Sequence, residues 1–272
     1  MSNTKVYDYQ RYNTSVLSDA NDSKGMIFNL VESNSVVLDV GCSCGMLGKV
    51  LYQKKNCEVY GFEYDAESVN YAQNLGCYKN VHRVDLNVLD ESDFSEYYAK
   101  FDYIILADVI EHVIDSDMII SKLKKYLKDD GQFIFSIPNI SHASIKTQIL
   151  LNKWIYADTG LLDATHVKFF TRSSISELFT NCALKITYLD CVVNNISFMQ
   201  DASLWSQLSF PVKYFILKDK ESFVYQYIVV AKVQKNNSDL KAFNQYQLEN
   251  NEELIQKRIK ENKIRRWSNL FK

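Results

Sequence analysis

Three features are missing from this 272-residue sequence, and each absence excludes a class of protein. Its six cysteines form no Cys-x-x-Cys pair, so neither a zinc ribbon nor a disulfide-stapled secreted scaffold is indicated, and we expect reduced thiols. No window approaches the ~18 apolar residues of a membrane-spanning helix, and the first residues show no signal segment. The formal net charge of -2 provides no global attraction to nucleic acid. The sequence therefore predicts a cytoplasmic protein without a transmembrane segment.

The remaining composition, 47% hydrophobic, is arranged as apolar runs that alternate with helical patterns. Predicted strands cover residues 35–41, 58–63, 81–86, 101–108, 132–138, 184–193 and 223–233. Predicted helices cover residues 46–55, 66–76, 116–131 and 172–182. Strands that alternate with helices indicate an α/β fold with a parallel sheet. The near-continuous apolar run at 101–108 is typical of a strand buried on both faces.

The stretch VVLDVGCSCG (36–45) joins the first of these strands to a helix. Gly41 and Gly45 permit a tight turn and a close approach of the backbone to a ligand, and the helix N-terminus offers free N–H groups. Glu63 ends the second strand, 22 positions after Gly41, where an acidic residue can bind ribose hydroxyls. The spacing Gly-x-x-x-Gly-x-x-Gly counts against NAD or FAD. A turn of purely structural purpose is the alternative.

Four segments in order, VLDVGCSCG, GFEYD, VDL and FDYIILADVIEHV, resemble the class I S-adenosylmethionine-dependent methyltransferases over roughly residues 30–193. The resemblance implies a Rossmann-like, doubly wound, seven-stranded sheet whose last strand is antiparallel. It also implies S-adenosyl-L-methionine as the cofactor. The residues that would bind it are Asp39, Gly41, Cys42, Ser43, Gly45, Glu63, Tyr64, Asp85, Leu86, Ala107 and Asp108.

By motif position, these residues divide among the parts of the cofactor. Residues 39–45 would face its methionine part, Glu63 its ribose hydroxyls, and Asp85 with Leu86 its adenine, while 107–108 would form the floor near the sulfonium. Ser43 departs from the family, which usually has a glycine there, and weaker binding is expected.

A second segment, IPNISHASIKTQILLNKWIYADTGLLDATHVKFFTRSSISELF (137–179), resembles a subgroup associated with bacterial surface-polysaccharide and glycan synthesis. It implies a sugar or glycan hydroxyl as the acceptor, with residues 139–170 as a cap over the substrate. Trp154, Tyr156, Phe169 and Phe170 either line a pocket for a sugar ring or form core beneath this insertion.

The four histidines, at 82, 112, 142 and 166, are candidates for the base that a hydroxyl acceptor requires. Three of them follow strands four and five, the edge where doubly wound sheets bind ligands. His142 and His166 are the leading candidates and His112 is the third, while His82 lies inside a strand. Asp163, three residues before His166, would orient that imidazole. The alternative is a set of surface, capping or lid-pinning side chains.

The segment ADVIEHV (107–113) permits a metal site or a simple helix start. Asp108, Glu111 and His112 could share one face and be completed by His142. This set resembles the metal ligands of small-RNA 2′-O-methyltransferases, and its carboxylates and imidazoles suggest Mg²⁺ or Mn²⁺.

The methyltransferase domain is predicted at residues 1–234, followed by a polar linker and an exposed basic amphipathic helix within 235–272. Its basic residues are Lys257, Arg258, Lys260, Lys263, Arg265, Arg266 and Lys272, and its apolar residues are Leu254, Ile255, Ile259, Trp267, Leu270 and Phe271. Residues 246–272 either contact an anionic membrane peripherally or pack on the core or on a second subunit.

Four functions are consistent with these patterns. The first is O-methylation of a sugar or glycan hydroxyl, and the second is O-methylation of a small phenolic or quinone-like metabolite. The third is metal-dependent RNA 2′-O-methylation, against which the near-neutral charge counts. The fourth is a cofactor-binding partner without catalysis, which Ser43 keeps open.

Overall fold

A seven-stranded sheet organises the computed structural model, which describes residues 22–194, 202–234, 240–249 and 251–261. The strands are β1 (Val36–Val40), β2 (Glu58–Glu63), β3 (Tyr78–Arg83), β4 (Phe101–Ala107), β5 (Leu127–Pro138), β6 (Leu184–Val193) and β7 (Val224–Val233). The helices are α1 (Ser23–Leu30), α2 (Met46–Lys55), α3 (Ala66–Asn74), α4 (Ser116–Leu123), α5 (Ala143–Leu150), α6 (Arg172–Asn181), α7 (Ala202–Gln207), α8 (Phe210–Lys218), α9 (Leu240–Glu249) and α10 (Glu252–Glu261).

The strand order is β3-β2-β1-β4-β5-β7-β6, and β7 runs antiparallel to both of its neighbours. The other neighbouring pairs are parallel. The predicted α/β fold with an antiparallel last strand is therefore confirmed. In this topology the carboxyl ends of β1, β2, β4 and β5 meet at one edge of the sheet.

Both faces of the central strands are buried, which explains their continuous apolar runs. On β4, Ile104 belongs to the hydrophobic cluster on one face and Ile105 to the cluster on the other. Phe133 and Ile134 divide in the same way on β5, because successive side chains of a strand point to opposite faces.

Two predicted elements differ from the structure at their ends. Strand β3 begins at Tyr78 and ends at Arg83, so Asp85 and Leu86 lie in the turn that follows it. The helix predicted over 116–131 stops at Leu123, and β5 begins at Leu127, which pairs with Phe101. The helical spacing of apolar residues continues past Leu123 in the sequence, which is why a longer helix was predicted. In the structure the chain after this point pairs with β4 instead.

The C-terminal helices pack against the fold rather than standing in solvent. Ile255 of α10 is fully buried in the main cluster, and Ile259 packs against it. Arg258 donates from Nε to Asp190 of β6 at 2.6 Å and from Nη2 to the other carboxylate oxygen. In 252–261 one face of the helix packs on the core, as one of the alternatives predicted, while the other face is exposed. Residues 262–272, with the remaining predicted basic and apolar positions, lie outside the described residues.

No helix within the described ranges is long and apolar enough to cross a membrane.

Replacing Arg258 tests whether α10 is an integral part of the fold. The side chain of Asp190 is only 4% exposed, so Arg258→Met leaves a buried carboxylate without its cation. We expect a loss of about 3 kcal/mol in the free energy of unfolding, measured by urea denaturation. Lys257→Met, at an exposed neighbouring position, should change it by less than about 0.5 kcal/mol. Equal effects of the two variants would show that α10 is not anchored through this pair.

Candidate functional site

The turn between β1 and α2 adopts the left-handed backbone conformation at every second residue. The φ angles are +69° at Gly41, +49° at Ser43 and +78° at Gly45. A Cβ on Gly41 would lie 2.7 Å from Val109 Cγ2, so no larger residue fits there. Gly45 is the N-cap of α2 and provides no side-chain cap, so the first N–H groups of α2 lack a side-chain partner at that position. This turn can receive an anionic or polar ligand at close range.

Glu63, at the end of β2, connects this turn to the next one. Its Oε2 accepts a hydrogen bond from the backbone N–H of Ser43 at 2.7 Å, and its Oε1 accepts from that of Asp65 at 2.9 Å. Each carboxylate oxygen keeps a further acceptor site. Glu63 therefore stands at the ligand edge and can still accept from two hydroxyl groups. The neighbouring Tyr64 is exposed.

Ser43 occupies the position where the family usually has glycine, and it adopts the conformation that a glycine would adopt. A non-glycine residue held there carries strain of about 1–3 kcal/mol. Its Oγ is also buried with no hydrogen-bond partner among the described residues. The cost of this substitution is therefore visible both in the backbone and in the side chain.

Asp39 and Cys42 direct their side chains into the protein rather than toward the ligand edge. Asp39 accepts a hydrogen bond from the Tyr78 hydroxyl at 2.8 Å, and burial raises the pKa of its carboxyl to about 6. Cys42 Sγ lies so close to Gly61 that a Cβ there would be 2.8 Å away, and burial raises the pKa of the thiol. The implied contact of Cys42 with a cofactor is thus left to its main chain.

The turn after β3 is joined to the loop after β4. Asp85 caps this turn by accepting from the N–H of Asn87 at 3.0 Å. The Asn87 Oδ1 accepts in turn from the N–H of Ile114 at 2.9 Å. Asp85 and the half-buried Leu86 are consequently held beside the segment that carries Asp108 and Glu111.

Asp108 follows β4 in a left-handed conformation, with φ +57°. Its Oδ1 accepts from Ser136 Oγ of β5 at 3.0 Å and from Gln226 Nε2 of β7. Burial raises the pKa of this carboxyl. Ser136 and Gln226 were not predicted as site residues. Their signal was a polar residue inside an otherwise apolar strand, in QFIFSIP and in FVYQYIVV.

Glu111 lies three residues further on, in a short 3-10 turn at 110–112. Its side chain is 1% exposed, and neither carboxyl oxygen has a hydrogen-bond partner among the described residues. Burial, followed by the charge of Asp108, raises its pKa well above the ordinary value. The Glu111 carbonyl accepts from the N–H groups of Val167 at 2.9 Å and Lys168 at 3.0 Å, which fastens the 139–170 insertion over the turn.

Two histidines face this carboxyl group, and their hydrogen bonds define their tautomers. Thr165 Oγ1 donates to Asp163 Oδ1 at 2.6 Å and must therefore accept from His112 Nδ1, 3.1 Å away. His166 Nδ1 lies 3.2 Å from the carbonyl of Leu161, to which it donates. In the neutral form both rings then carry their lone pair on Nε2. His166 Nε2 is 4.0 Å from Glu111 Oε1.

Glu111, His112 and His166 form a group that can hold a cation. One ligand atom from each lies within 4.8 Å of the others. Two members of the predicted metal set, Asp108 and His142, do not belong to this group. A buried carboxylate without a donor and two imidazoles in the correct tautomer fit a divalent ion, and the two nitrogen ligands favour Mn²⁺ over Mg²⁺. Asp163 also accepts a hydrogen bond from Thr165 through Oδ1, and it thereby orients His112.

His142 caps helix α5 and has a different environment. Its Nδ1 accepts from the N–H of Ser144 at 3.2 Å, so the proton of the neutral ring lies on Nε2. The ring is buried, and burial lowers its pKa to about 3. A ring without a free lone pair and with so low a pKa is unsuited to accept a proton from an acceptor. This geometry argues against His142 as the base, in favour of His166 or His112.

Aromatic rings lead outward from this group to the surface. Ring centroids are 6.2 Å apart for His166 and Phe169, 5.4 Å for Phe169 and Trp154, and 6.4 Å for Trp154 and Tyr156. Trp154 and Tyr156 are exposed, whereas Phe170 is buried in the core. His82 bonds to Tyr97 Oη at 2.7 Å inside a cluster of aromatic rings, which is the structural role expected for it.

His142→Asn separates the capping role from the catalytic one. The pKa of His142 is about 3 in the folded protein and 6.5 in the unfolded chain. The unfolded chain therefore binds a proton more readily, and the free energy of unfolding decreases as the pH falls below 6.5. Asparagine is also a good N-cap but does not titrate. When the pH is lowered from 7 to 5, the free energy of unfolding of the variant should decrease by about 2 kcal/mol less than that of the wild type, as measured by urea denaturation. Turnover should stay within about threefold, whereas loss of a base costs 10²-fold or more.

Comparison with known proteins agrees with this geometry. A family model described as "Methyltransferase domain" matches residues 11–189, more than half of the chain. N-methyltransferase 4 of Papaver somniferum is 29% identical over 109 residues, which are 39% of this chain and 31% of that protein. A ubiquinone biosynthesis O-methyltransferase of Idiomarina loihiensis is 25% identical over 197 residues, covering 72% of this chain and 74% of that protein. The chain spans only about a third of the length of the first two curated relatives.

Solved structures share the fold at low identity. The O-methyltransferase of a trans-AT polyketide synthase multienzyme from Brevibacillus brevis, solved with S-adenosyl-L-homocysteine, has a TM-score of 0.54 and 16% identity. The match covers 87% of this chain and 80% of that one. With the family model covering most of the sheet, and with the topology of the sheet to match, the chain belongs to the methyltransferase-domain family.

Proposed function

We propose that this chain transfers a methyl group from S-adenosyl-L-methionine to a hydroxyl of a sugar or glycan intermediate. One observation carries the proposal: Glu111, His112 and His166 converge beside Asp108, at the sheet edge that forms the cofactor site in this family. A methyl transfer to nitrogen or sulfur has less need of such a group, because only a hydroxyl acceptor must lose a tightly held proton.

The cofactor half of the site would be built from the three turns already described. Residues 41–45 offer backbone N–H groups, Glu63 offers carboxylate oxygens for ribose hydroxyls, and Asp85 with Leu86 borders the adenine. When bound, S-adenosyl-L-methionine supplies a methyl group on a positively charged sulfur. Asp108, held by Ser136 and Gln226, borders the place where that charge would lie. The protein then contributes mainly position, as an in-line displacement requires.

The acceptor half would use His166 as the base, because its Nδ1 donates to the Leu161 carbonyl and the neutral ring then carries its lone pair on Nε2. Glu111, close to that nitrogen, stabilises the imidazolium that forms when the ring takes the hydroxyl proton. Burial makes this electrostatic support stronger than it would be in water. His112, oriented by Thr165, presents a second imidazole to the same place.

The same three side chains would hold a divalent ion, for which their donor set is suitable. Such an ion lowers the pKa of a hydroxyl bound to it. A mechanism with a histidine base and a mechanism with a bound metal ion would use the same residues. Only the activity of the second would be lost when a chelator is added.

Exposed aromatic rings support a sugar acceptor. Trp154 and Tyr156 end the line of rings that starts at His166, and such rings can stack on the apolar face of a sugar. The resemblance of residues 137–179 to a glycan-associated subgroup points in the same direction. A phenolic or quinone-like acceptor is the second candidate, favoured by the name of the Idiomarina relative. RNA is disfavoured by the net charge of -2.

The decisive experiment measures methyl transfer from labelled S-adenosyl-L-methionine to nucleotide sugars, lipid-linked glycans, phenols and RNA. We expect incorporation into a sugar hydroxyl, and Glu111→Gln should reduce kcat at least 10²-fold while exposed Glu67→Gln leaves it unchanged. Labelling of phenols alone would select the second candidate. If S-adenosylhomocysteine at millimolar concentration does not raise the Tm, the chain binds no such cofactor and the proposal fails. Activity that survives EDTA excludes the metal and leaves a histidine, His166 or His112, as the base.

Glu111→Gln has a second expected effect, on stability. A carboxyl whose pKa is raised in the folded state binds its proton more tightly there, so stability is full below about pH 4.5 and declines as the pH rises. Glutamine removes this decline. At pH 8 the inactive variant should melt a few degrees higher than the wild type, and the difference should shrink toward pH 5. A lower Tm at pH 8 would show that Glu111 stabilises the fold.

Ser43→Gly tests the one departure from the family pattern. Glycine adopts φ near +49° without strain and removes the buried Oγ, so the turn can meet the cofactor more easily. We expect S-adenosylhomocysteine to bind about threefold to tenfold more tightly by calorimetry, whereas Ser43→Val should bind it more weakly. Equal affinities for all three proteins would mean that the ligand does not approach residue 43.

A further inference from the structure

Helix α8 exposes an apolar surface although its opposite face is already buried. Tyr214 and Phe215 are 50% and 77% exposed and lie on one side of the helix, and Phe210, at its first position, is 60% exposed. On the other side, Ile216 and Leu217 pack into a small cluster with Trp205 and its neighbours. A surface helix normally exposes a polar face, so an apolar outer surface on α8 is unusual.

Helix α5 continues this surface. It contacts both α7 and α8, and at its end Ile149 and Leu150 are each 55% exposed. The next residue, Leu151, packs on the same cluster as Val212 of α8. We call the surface formed by Ile149, Leu150, Phe210, Tyr214 and Phe215 the α5–α8 face.

The segments that carry the α5–α8 face are strongly basic, in a chain whose net charge is -2. Residues 143–156 and 202–220 together contain five lysines, Lys146, Lys153, Lys213, Lys218 and Lys220. They contain one acidic residue, Asp219, whose carboxylate is paired with Lys146 at 2.5 Å. Five positive charges and one negative charge leave a local excess of four positive charges.

We infer that the α5–α8 face docks on an anionic lipid bilayer. Exposed aromatic side chains among lysines are the composition of a segment that lies in the membrane interface, where rings enter the headgroup region and ammonium groups meet anionic lipid. A second copy of this chain fits less well. A two-fold interface would place the same four excess positive charges of each copy against each other.

The position of this face gives the docking a purpose that rests on the proposed function. Helix α5 starts at the cap residue His142, immediately after β5, and the chain beyond it leads to Trp154 and Tyr156. The α5–α8 face is therefore continuous in sequence with the aromatic rings that lead to His166. An acceptor anchored by a lipid tail would be presented to the site from the membrane surface.

Vesicle sedimentation with the full chain tests the docking without cofactor or acceptor, so its failure is distinct from a failure of methyl transfer. We expect binding to vesicles of phosphatidylglycerol and phosphatidylcholine, weakened by 0.5 M salt, and at least tenfold weaker binding to phosphatidylcholine alone. Phe215→Ser, and separately Lys213→Gln with Lys218→Gln, should each lower affinity about tenfold or more. The matched controls on α2, Tyr52→Ser and Lys54→Gln, should bind as the wild type does.

Three results would overturn the inference. The first is equal binding to both kinds of vesicle, or to neither. The second is unchanged binding by Phe215→Ser together with loss of binding by Arg265→Gln with Arg266→Gln, which would move the contact to the C-terminal segment. The third is a wild-type dimer in light scattering that Phe215→Ser converts to a monomer, with no vesicle binding by either protein. Since Lys218 is exposed, its variant remains a folded comparison even if Phe215→Ser melts early.

Discussion

The buried carboxyl group of Glu111 is the constraint on which the arrangement of the site depends. A carboxylate removed from water without a hydrogen-bond donor is strongly disfavoured, so it must hold a proton, pair with a protonated imidazole or meet a cation. The fold places His112 and His166 next to the Glu111 carboxyl group, where their imidazoles can pair with it or bind a cation together with it. The main chain of the same residue holds the insertion through Val167 and Lys168, so one residue fixes both the chemistry and the cap above it.

Asp108 separates two halves of the site that have different requirements. On the side proposed for the cofactor, the Glu63 carboxylate accepts from two backbone N–H groups and can still accept from hydroxyl groups of a ligand. On the side proposed for the acceptor, neither carboxyl oxygen of Glu111 has a hydrogen-bond partner among the described residues. Residues that bind a polar cofactor can be solvated and paired, whereas a group that changes protonation during a reaction needs a perturbed pKa, and such groups cluster at functional sites.

Much of the fold could be predicted from local patterns in the sequence. The alternation of runs predicted an α/β fold with a parallel sheet, and the resemblance to class I methyltransferases implied seven strands with the last one antiparallel. Glu63 was identified from its place at the end of the second strand. Asp163 and His166 were singled out from their spacing. Their neighbour Thr165, which relays the orientation to His112, is an ordinary residue in the sequence. Ser136 and Gln226 were missed because only strand pairing brings residues 108, 136 and 226 together.

The roles of the histidines show where sequence reasoning ends. Spacing alone ranked His142 with His166, since both follow the sheet edge. The Ser144 N–H donates to the lone pair of His142 Nδ1 and so uses it for a helix cap, and burial lowers the pKa of the ring. The basic C-terminal helix is a second case: its pattern of charge suited a surface, yet Ile255 and Arg258 are enclosed by β6 and the helices beside it.

By itself, the sequence determined the class of fold, the glycine turn and the edge of the sheet at which function would lie, because hydrophobic period and glycine position act locally along the chain. Only the tertiary structure decided which side chains meet there. Neighbours distant in sequence determine several properties of the site and the surface. These are the nitrogen that carries the proton in each histidine ring, the lack of hydrogen-bond partners for the Glu111 carboxyl among the described residues, and the exposure of Phe215. Burial and hydrogen-bond partners are properties of the packed molecule, and no local spacing specifies them.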